Sequence, residues 1–358
     1  MFIKTIPQFQ PLNRRKDAKA VYKAIRKGNL GPGAVCLKLE ERIKQLTGAK
    51  HCLTTTSGTT ALIMAIEALD LPRGSTILFP SYTFLAGANA ARFMGYKVKL
   101  IDIHPDTICM SALELEEKIN KNVSCVIFVN HNARSRYHGF GIDYAKSICE
   151  KHNIPIIEDS CQSIGVKNAG RTGNIGVFSF SVPKLITGGQ GGAIITDDDK
   201  LAKRLSEIRD HGDNWRKNRI HKNIGVNFRY NDIQASYVLS QLNDIQELLT
   251  KRWMLCNEYS KYINIESFDC ITFSNETPWM VIYKSKNADK IIEALAEKKI
   301  QAVKYYRPIN ENKPYKTRLK FPVAEQMAHE LVYLPSSLNL SKKQIRKICN
   351  IILKVERN

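Results

Sequence analysis

The sequence predicts an α/β fold in which a large domain, with a mostly parallel sheet flanked by helices, precedes a smaller C-terminal α+β domain. Short apolar runs rich in β-branched residues alternate with stretches of helical apolar spacing, the pattern of strands joined by crossover helices. A length of 358 residues suffices for one large core and a second, smaller one. Past Asp232 the stretch "IQASYVLSQLNDIQELLTKRWMLCNEYSKYI" keeps a helical period long enough for one or two helices that bridge the two parts. The expected units are therefore residues 1–250, an N-terminal arm with the large domain, and residues 251–358.

Taken in order, "DAKAVYKAIRKG" and "LKLEERIKQLTG" carry helical apolar spacing and end at glycines, as helices do. The runs "STILFP", "YKVKLID", "VSCVIFVN", "IPIIEDS", "GVFSFS" and "GAIITD" read as buried strands. Between them, "TFLAGANAARFMG", "SALELEEKIN" and "YAKSICEKHN" read as helices, so the sheet is covered on both faces. In such a sheet the working residues sit where strands end and loops begin. There is no internal repeat and no low-complexity linker.

Composition narrows the class of protein. Hydrophobic residues at 43% and charged residues at 25% are ordinary for a soluble globular chain. No run approaches a membrane span, and "MFIKTIPQFQPLNRRKDAKA" lacks the apolar core of a signal peptide, so a cytoplasmic protein is expected. Nine scattered cysteines without a C-x-x-C pair suggest neither zinc nor a redox dithiol, and no metal is expected. The lysines and arginines behind the net charge of +20 are spread along the chain, with local density at "NRRKDAK", "NWRKNRIHK" and "LSKKQIRKI", without aromatic interleaving or a nucleic-acid module. A solvated basic surface that steers anionic metabolites is expected, not a nucleic-acid partner.

Four places along the α/β part have the residue types that chemistry would need. In "TTTSGTTALIMAIEAL", Ser57, Gly58, Thr59 and Thr60 precede a strong helical pattern, and a glycine turn at a helix N-terminus offers N–H groups and a favourable dipole to a phosphate. The same letters would serve ordinary N-capping. In "IPIIEDSCQSIG", Asp159 ends a buried strand, where a carboxylate could hold a proton on a heterocyclic nitrogen or cap the next helix. Phe84 in "PSYTFLAGANAA" could stack on a planar ring or simply fill the core. In "SFSVPKLITGGQGGAIIT", Lys184 interrupts an apolar, glycine-rich run five residues after Ser179. A desolvated lysine loses its proton readily and attacks carbonyl carbon, whereas a snorkelling lysine only packs its stem. A phosphate cradle, an acid for a ring nitrogen, an aromatic plate and a lysine for an aldehyde are together the requirements of pyridoxal phosphate.

The collinear series "NLGPGAVCLKLEERIKQLTGAKHCLTTTSGTTAL", "PSYTFLAGANA", "IIEDSCQSIG", "FSFSVPKLITGGQGGAIIT", "LSEIRDHG", "GVNFRYNDIQASYVLSQL" and "FPVAEQMAHELVYLPSSLNLS" resembles the DegT/DnrJ/EryC1/StrS sugar aminotransferases over nearly the whole chain. The resemblance implies the aspartate aminotransferase-like fold, type I, and the cofactor pair pyridoxal 5'-phosphate and pyridoxamine 5'-phosphate. It implies that Lys184 forms the Schiff base and shuttles the proton, that Asp159 pairs with the pyridinium nitrogen, and that Gln162 bonds the ring's phenolic oxygen. It further implies that Gly58, Thr59 and Ser179 hold the phosphate, that Phe84 stacks, and that Asn227 reaches the phosphate of a neighbouring subunit, making a homodimer with shared sites. The activity implied is transfer of an amino group from an amino acid, glutamate being expected, to a keto-sugar, usually nucleotide-linked, in amino-sugar synthesis for a surface glycan such as lipopolysaccharide or a related product.

Three segments depart from the family's pattern. A loop of the Pro-Val-His-Leu-Tyr-Gly type is replaced by "FVNHNARSRYHGFGID", a His-Tyr pair by Tyr305 and Tyr306, and a glutamate in the glycine-rich turn by Gln190. Lys304 and Arg307 are candidates for contacting the sugar's phosphates. A keto-sugar dehydratase of the same family, which carries histidine in place of the lysine, is disfavoured by Lys184. A non-catalytic regulator on the same fold is disfavoured by the intact lysine, aspartate and phosphate turn.

Overall fold

The structure, a computed structural model, describes residues 5–135, 141–212, 221, 223–263 and 277–357. A seven-stranded sheet organises the first part: β1 His51–Thr55, β2 Thr76–Pro80, β3 Lys97–Ile101, β4 Val123–Val129, β5 Ile156–Asp159, β6 Ile175–Ser179 and β7 Gly192–Thr196, in spatial order β1-β7-β6-β5-β4-β2-β3. Strands β6, β5, β4, β2 and β3 run parallel, and β7 runs antiparallel to both β6 and β1. The sheet is thus mostly parallel, with one reversed strand. The runs Ile156–Asp159, Ile175–Ser179 and Gly192–Thr196 are buried at every position, as expected of strands covered on both faces.

Helices α1 Arg15–Arg26, α2 Ala34–Thr47, α3 Gly58–Ala68, α4 Ala86–Phe93, α5 Ala112–Lys118, α6 Ile142–Lys151 and α7 Asp199–Arg209 flank this sheet. Gly48, in the left-handed region at φ 74°, ends α2 where the sequence places the stop. Strand β1 is absent from the sequence reading, because "HCLTT" is five residues long and sits against the phosphate-turn motif, which masks its period.

The long helical stretch divides at Asn243 into α8 Asp232–Leu242 and α9 Ile245–Ser260, and α9 runs unbroken across residues 250 and 251. Its first turns, with Ile245, Leu248 and Leu249, pack in the cluster that holds Phe178 and Ile195 of the sheet. Its later turns, with Leu255, Cys256 and Tyr259, join the cluster that holds Ile345, Ile348 and Ile352. Beyond it, β8 Ile282–Lys284 and β9 Leu331–Tyr333 form a two-stranded antiparallel sheet, accompanied by α10 Ala288–Glu297, α11 Pro322–Glu330 and α12 Lys342–Arg357. Among the described residues no helix is long and apolar enough to cross a membrane. Eight described cysteines are free thiols, and all but Cys161 are buried.

Candidate active site

Strand alternation decides which carboxylate of "IIEDS" faces the ligand side. Glu158 accepts hydrogen bonds from Ser160 Oγ at 2.8 Å and from the N–H groups of Gly170 at 2.7 Å and Thr172 at 3.0 Å, so its charge is spent pinning the loop 170–173. Its neighbour Asp159 points to the other face. There it lines a cavity of about 370 Å³ together with Gly58, Phe84, Gln162, Ser179 and Lys184.

Capping and phosphate binding, which compete for the same letters in the sequence, are divided between residues. Ser57 Oγ accepts from Thr60 N–H at 3.0 Å while Thr60 Oγ1 accepts from Ser57 N–H at 2.9 Å, a reciprocal capping box. Ala61 N–H donates to Ser57 O at 3.0 Å. Gly58 and Thr59 are the first two residues of α3, and no partner for their N–H groups is found among the described residues. Those donors stand at the positive end of the helix dipole on the cavity wall. A Cβ at Gly58 would lie 3.0 Å from Ser179 Cβ and from Cys161 Sγ, so the turn sits directly against the end of β6.

Lys184 lies on the loop between β6 and β7. The loop is closed by Phe180 N–H donating to Gly191 O at 2.8 Å and by Gly188 N–H donating to Phe180 O at 2.9 Å. Its glycines answer a close approach: Gly191 has φ 142°, and a Cβ there would lie 2.6 Å from the Tyr230 hydroxyl, which donates to Gln190 O at 2.8 Å. The Lys184 ammonium stands 4.4 Å from the centre of the Trp279 ring, and Trp279 Nε1 donates to Pro183 O at 2.6 Å. Burial lowers the Lys184 pKa, opposed by its neighbours Cys161 and Asp159, and burial raises that of Asp159, opposed by its bond to Cys161 and by Lys184. Both groups are thus pushed toward their neutral forms, one as an available amine and the other as a carboxyl that a cation would re-ionise.

The model of the DegT/DnrJ/EryC1/StrS aminotransferase family matches residues 11–353. The chain belongs to this family. It is 27% identical to the GDP-perosamine synthase of Escherichia coli O157:H7, covering 98% of each chain. It is 28% identical to the UDP-2-acetamido-2-deoxy-3-oxo-D-glucuronate aminotransferase of Pseudomonas aeruginosa, over 92% of this chain and 93% of that one. The solved structure of Helicobacter pylori PseC, an aminotransferase in pseudaminic acid biosynthesis by its description, superposes with a TM-score of 0.91 at 26% identity, covering 98% of this chain and 99% of that one.

Aminotransferases of this family depend on pyridoxal phosphate, and the residues present fit that group. Free N–H donors beside Ser179 suit its phosphate, the Asp159 carboxyl suits a ring nitrogen, and the Lys184 amine suits its aldehyde. Of the residues singled out in the sequence, Gly58, Thr59, Phe84, Asp159, Gln162, Ser179 and Lys184 meet at this cavity, as do Gln190, Tyr305 and Tyr306. Phe84 is 64% exposed, so in the single chain it is an open wall and not a core residue.

Three others do not line the cavity. Asn227 is exposed, accepts from Arg229 Nε at 3.0 Å, and lies on the segment that runs beside the end of β1, where Thr56 N–H donates to Phe228 O at 3.2 Å. Lys304 is paired with Asp289 at 2.7 Å, and Arg307 is 85% exposed, 3.9 Å from Glu311. Of the departing loop, residues 136–140 lie outside the described residues, as do most of "NWRKNRIHK" and Cys270. Sequence reasoning missed Trp279, Cys161 and Asn132. Trp279 has no periodic context, but it is one of three tryptophans in the chain, and its rarity is the signal that could have marked it.

Proposed function

We propose that this aminotransferase takes its amino group from L-glutamate and delivers it to a keto-sugar carried on a nucleotide, supplying an amino sugar to a surface glycan. The observation that carries the reading is the convergence, on one cavity, of a buried lysine, a buried carboxyl and the free start of a helix. The named activities of the relatives, two of them on nucleotide-linked sugars, support the choice of substrate.

When bound, pyridoxal phosphate supplies an aldehyde that captures amines and a ring that withdraws the electron pair released at the amino-bearing carbon. Lys184 holds the group through Nζ and moves the proton at the reacting carbon, a task for which its lowered pKa prepares it. Asp159 keeps a proton on the ring nitrogen, and Gly58, Thr59 and Ser179 orient the phosphate. Phe84 covers a ring face, and Gln162 donates to the phenolic oxygen. Asn227 completes the phosphate site of a second copy in a homodimer, which accounts for its place outside the single-chain cavity. Lys304 and Arg307 meet the sugar's phosphates from the rim. In this reading, residues 1–250 hold the cofactor and residues 251–358 close over the sugar.

The test is to load the purified enzyme with the amine form of the cofactor, add a panel of nucleotide-linked keto-sugars, and follow return of the aldehyde form. Subsequent reversal by glutamate, but not by alanine or aspartate, is expected. A free sugar that outperforms every nucleotide-linked one would remove the nucleotide from the reading.

A further inference from the structure

Asn132 stands where the family's usual loop pattern is lost. It is fully buried, follows β4 in a single 3₁₀ turn, His131–Ala133, and has φ 50° and ψ 31°, in the left-handed region. Ala133 follows at φ 64°. Two successive non-glycine residues in that region cost conformational energy, and asparagine tolerates it better than most.

Three hydrogen bonds hold the strain in place. Asn132 Oδ1 accepts from Met280 N–H at 2.8 Å, and Asn132 Nδ2 donates to Met280 O at 3.2 Å, so one side chain satisfies both backbone groups of a residue 148 positions away. The Asn132 N–H, aimed by this clamp, donates to Gln162 Oε1 at 2.7 Å. A backbone N–H can only donate, so it fixes which end of the Gln162 amide meets it. The Nε2 end is turned the other way, where it donates to the Tyr306 hydroxyl at 3.3 Å and keeps a second hydrogen for the cavity that Gln162 lines.

We infer that Asn132 is a positioning residue: through its left-handed backbone and its clamp on Met280 it locks the Gln162 amide with the donor end toward the cofactor's phenolic oxygen. The inference rests on the reading that Gln162 meets that oxygen. Met280 is flanked by Trp279, which lines the cavity, and by Val281, whose N–H donates to Ser336 Oγ at 2.9 Å. The clamp therefore ties the orientation of one amide to the seat of the C-terminal segment. Without it the amide is free to turn over, presenting a carbonyl oxygen to an oxygen that carries negative charge.

A donor on the phenolic oxygen spreads its negative charge and lowers its hold on the proton shared with the lysine linkage. Losing the donor raises the pH at which the bound cofactor's visible band titrates. With Gln162→Leu the titration of the holoenzyme should move up by about one unit, the expected size for one charge-assisted bond. Asn132→Ala should move it in the same direction, and the double variant should move it no further than Gln162→Leu alone. Asn132→Asp, which keeps an acceptor for Met280 N–H and tolerates the same backbone, should move it less than Asn132→Ala. Asn132→Gly, which relieves the backbone and lacks only the clamp, serves if the alanine variant does not fold, and should give the alanine result. A normal titration in Asn132→Ala and Asn132→Gly, alongside lowered melting temperatures and a shifted Gln162→Leu, would reduce Asn132 to a structural residue and overturn the inference. A normal titration in Gln162→Leu would instead overturn the underlying placement of Gln162, and the inference with it.

Discussion

The part of the cavity that carries Gly58, Asp159, Ser179 and Lys184 stands on strand ends, one helix start and the loop between the paired strands β6 and β7. The part that carries Trp279, Tyr305 and Tyr306 stands outside regular elements and is held by rings packed edge to face or tilted and by single hydrogen bonds. In the first part the backbone does the positioning, so a residue's place follows from the element it ends. In the second, place follows from side chains brought together across the chain, and the same positions can be refilled without disturbing the sheet. That division fits a cofactor common to a family on one side and a substrate that varies on the other.

The contrast can be broken or sharpened by substitution, beginning with the largest effect. Lys184→Ala should reduce turnover by roughly 10⁴-fold or more, because in the proposed reaction one amine both holds the cofactor and moves the proton. Borohydride should fix the cofactor to a peptide containing Lys184, and labelling of another lysine would overturn the assignment. Asp159→Asn should lower kcat by about 10²–10³-fold with a smaller loss of cofactor affinity, as read by single-turnover absorbance and by titration of the apoprotein. Near-normal turnover would mean that Glu158 or another acid has the role, against the strand alternation seen here.

Gly191→Ala should destabilise the fold by about 2–3 kcal/mol, read as a fall in the urea midpoint, since a Cβ at φ 142° meets the Tyr230 hydroxyl at 2.6 Å. The variant Tyr230→Phe combined with it should recover part of the loss, as the overlapping hydroxyl is gone. On the other side of the comparison, His131 is buried against Tyr333 at 2.9 Å, and its pKa is pulled down to about 3, chiefly by burial and then by the charges of Arg134 and Lys184. The unfolded chain takes up a proton near pH 6.5 that the folded one refuses until about 3, so stability attributable to this residue is present above 6.5 and is lost as pH falls through that window. The slope should be about 1.4 kcal/mol per pH unit, and His131→Gln should flatten it in urea titrations at pH 4, 5 and 6. An unchanged slope would place the acid sensitivity elsewhere.

What was legible in the sequence follows the same line. Six of the large sheet's strands announce themselves as short apolar runs between helices, and Asp159 and Ser179 are found simply by asking where such runs end. Lys184 stands out because the run around it is apolar and glycine-rich, and two of those glycines, Gly188 and Gly191, prove to face Tyr230. Direction was not legible: "GAIIT" reads the same forwards or reversed, and only its pairing with β1 and β6 shows that β7 is antiparallel. Nor was the clamp at Asn132 legible, since nothing local links it to Met280. Its one trace was negative, the loss of a familiar loop pattern at that place.

The distances along the chain at which these contacts close also bear on how the protein is made. Strand β1, complete at Thr55, has no sheet partner until Gly192–Thr196 exists, and the Asn132 and His131 side chains wait for Met280 and Tyr333, 148 and 202 residues further on. A chain emerging from the ribosome at about 5–20 residues per second carries an open strand edge and two buried-type polar side chains for many seconds before either is covered. Translation halted after Thr196 but before Trp279 would leave all seven strands of the sheet with an unfinished pocket. Such truncated products should be captured by chaperones or cleared by proteases, so that yield in a cell depends on late synthesis even though most of the cofactor wall is encoded early.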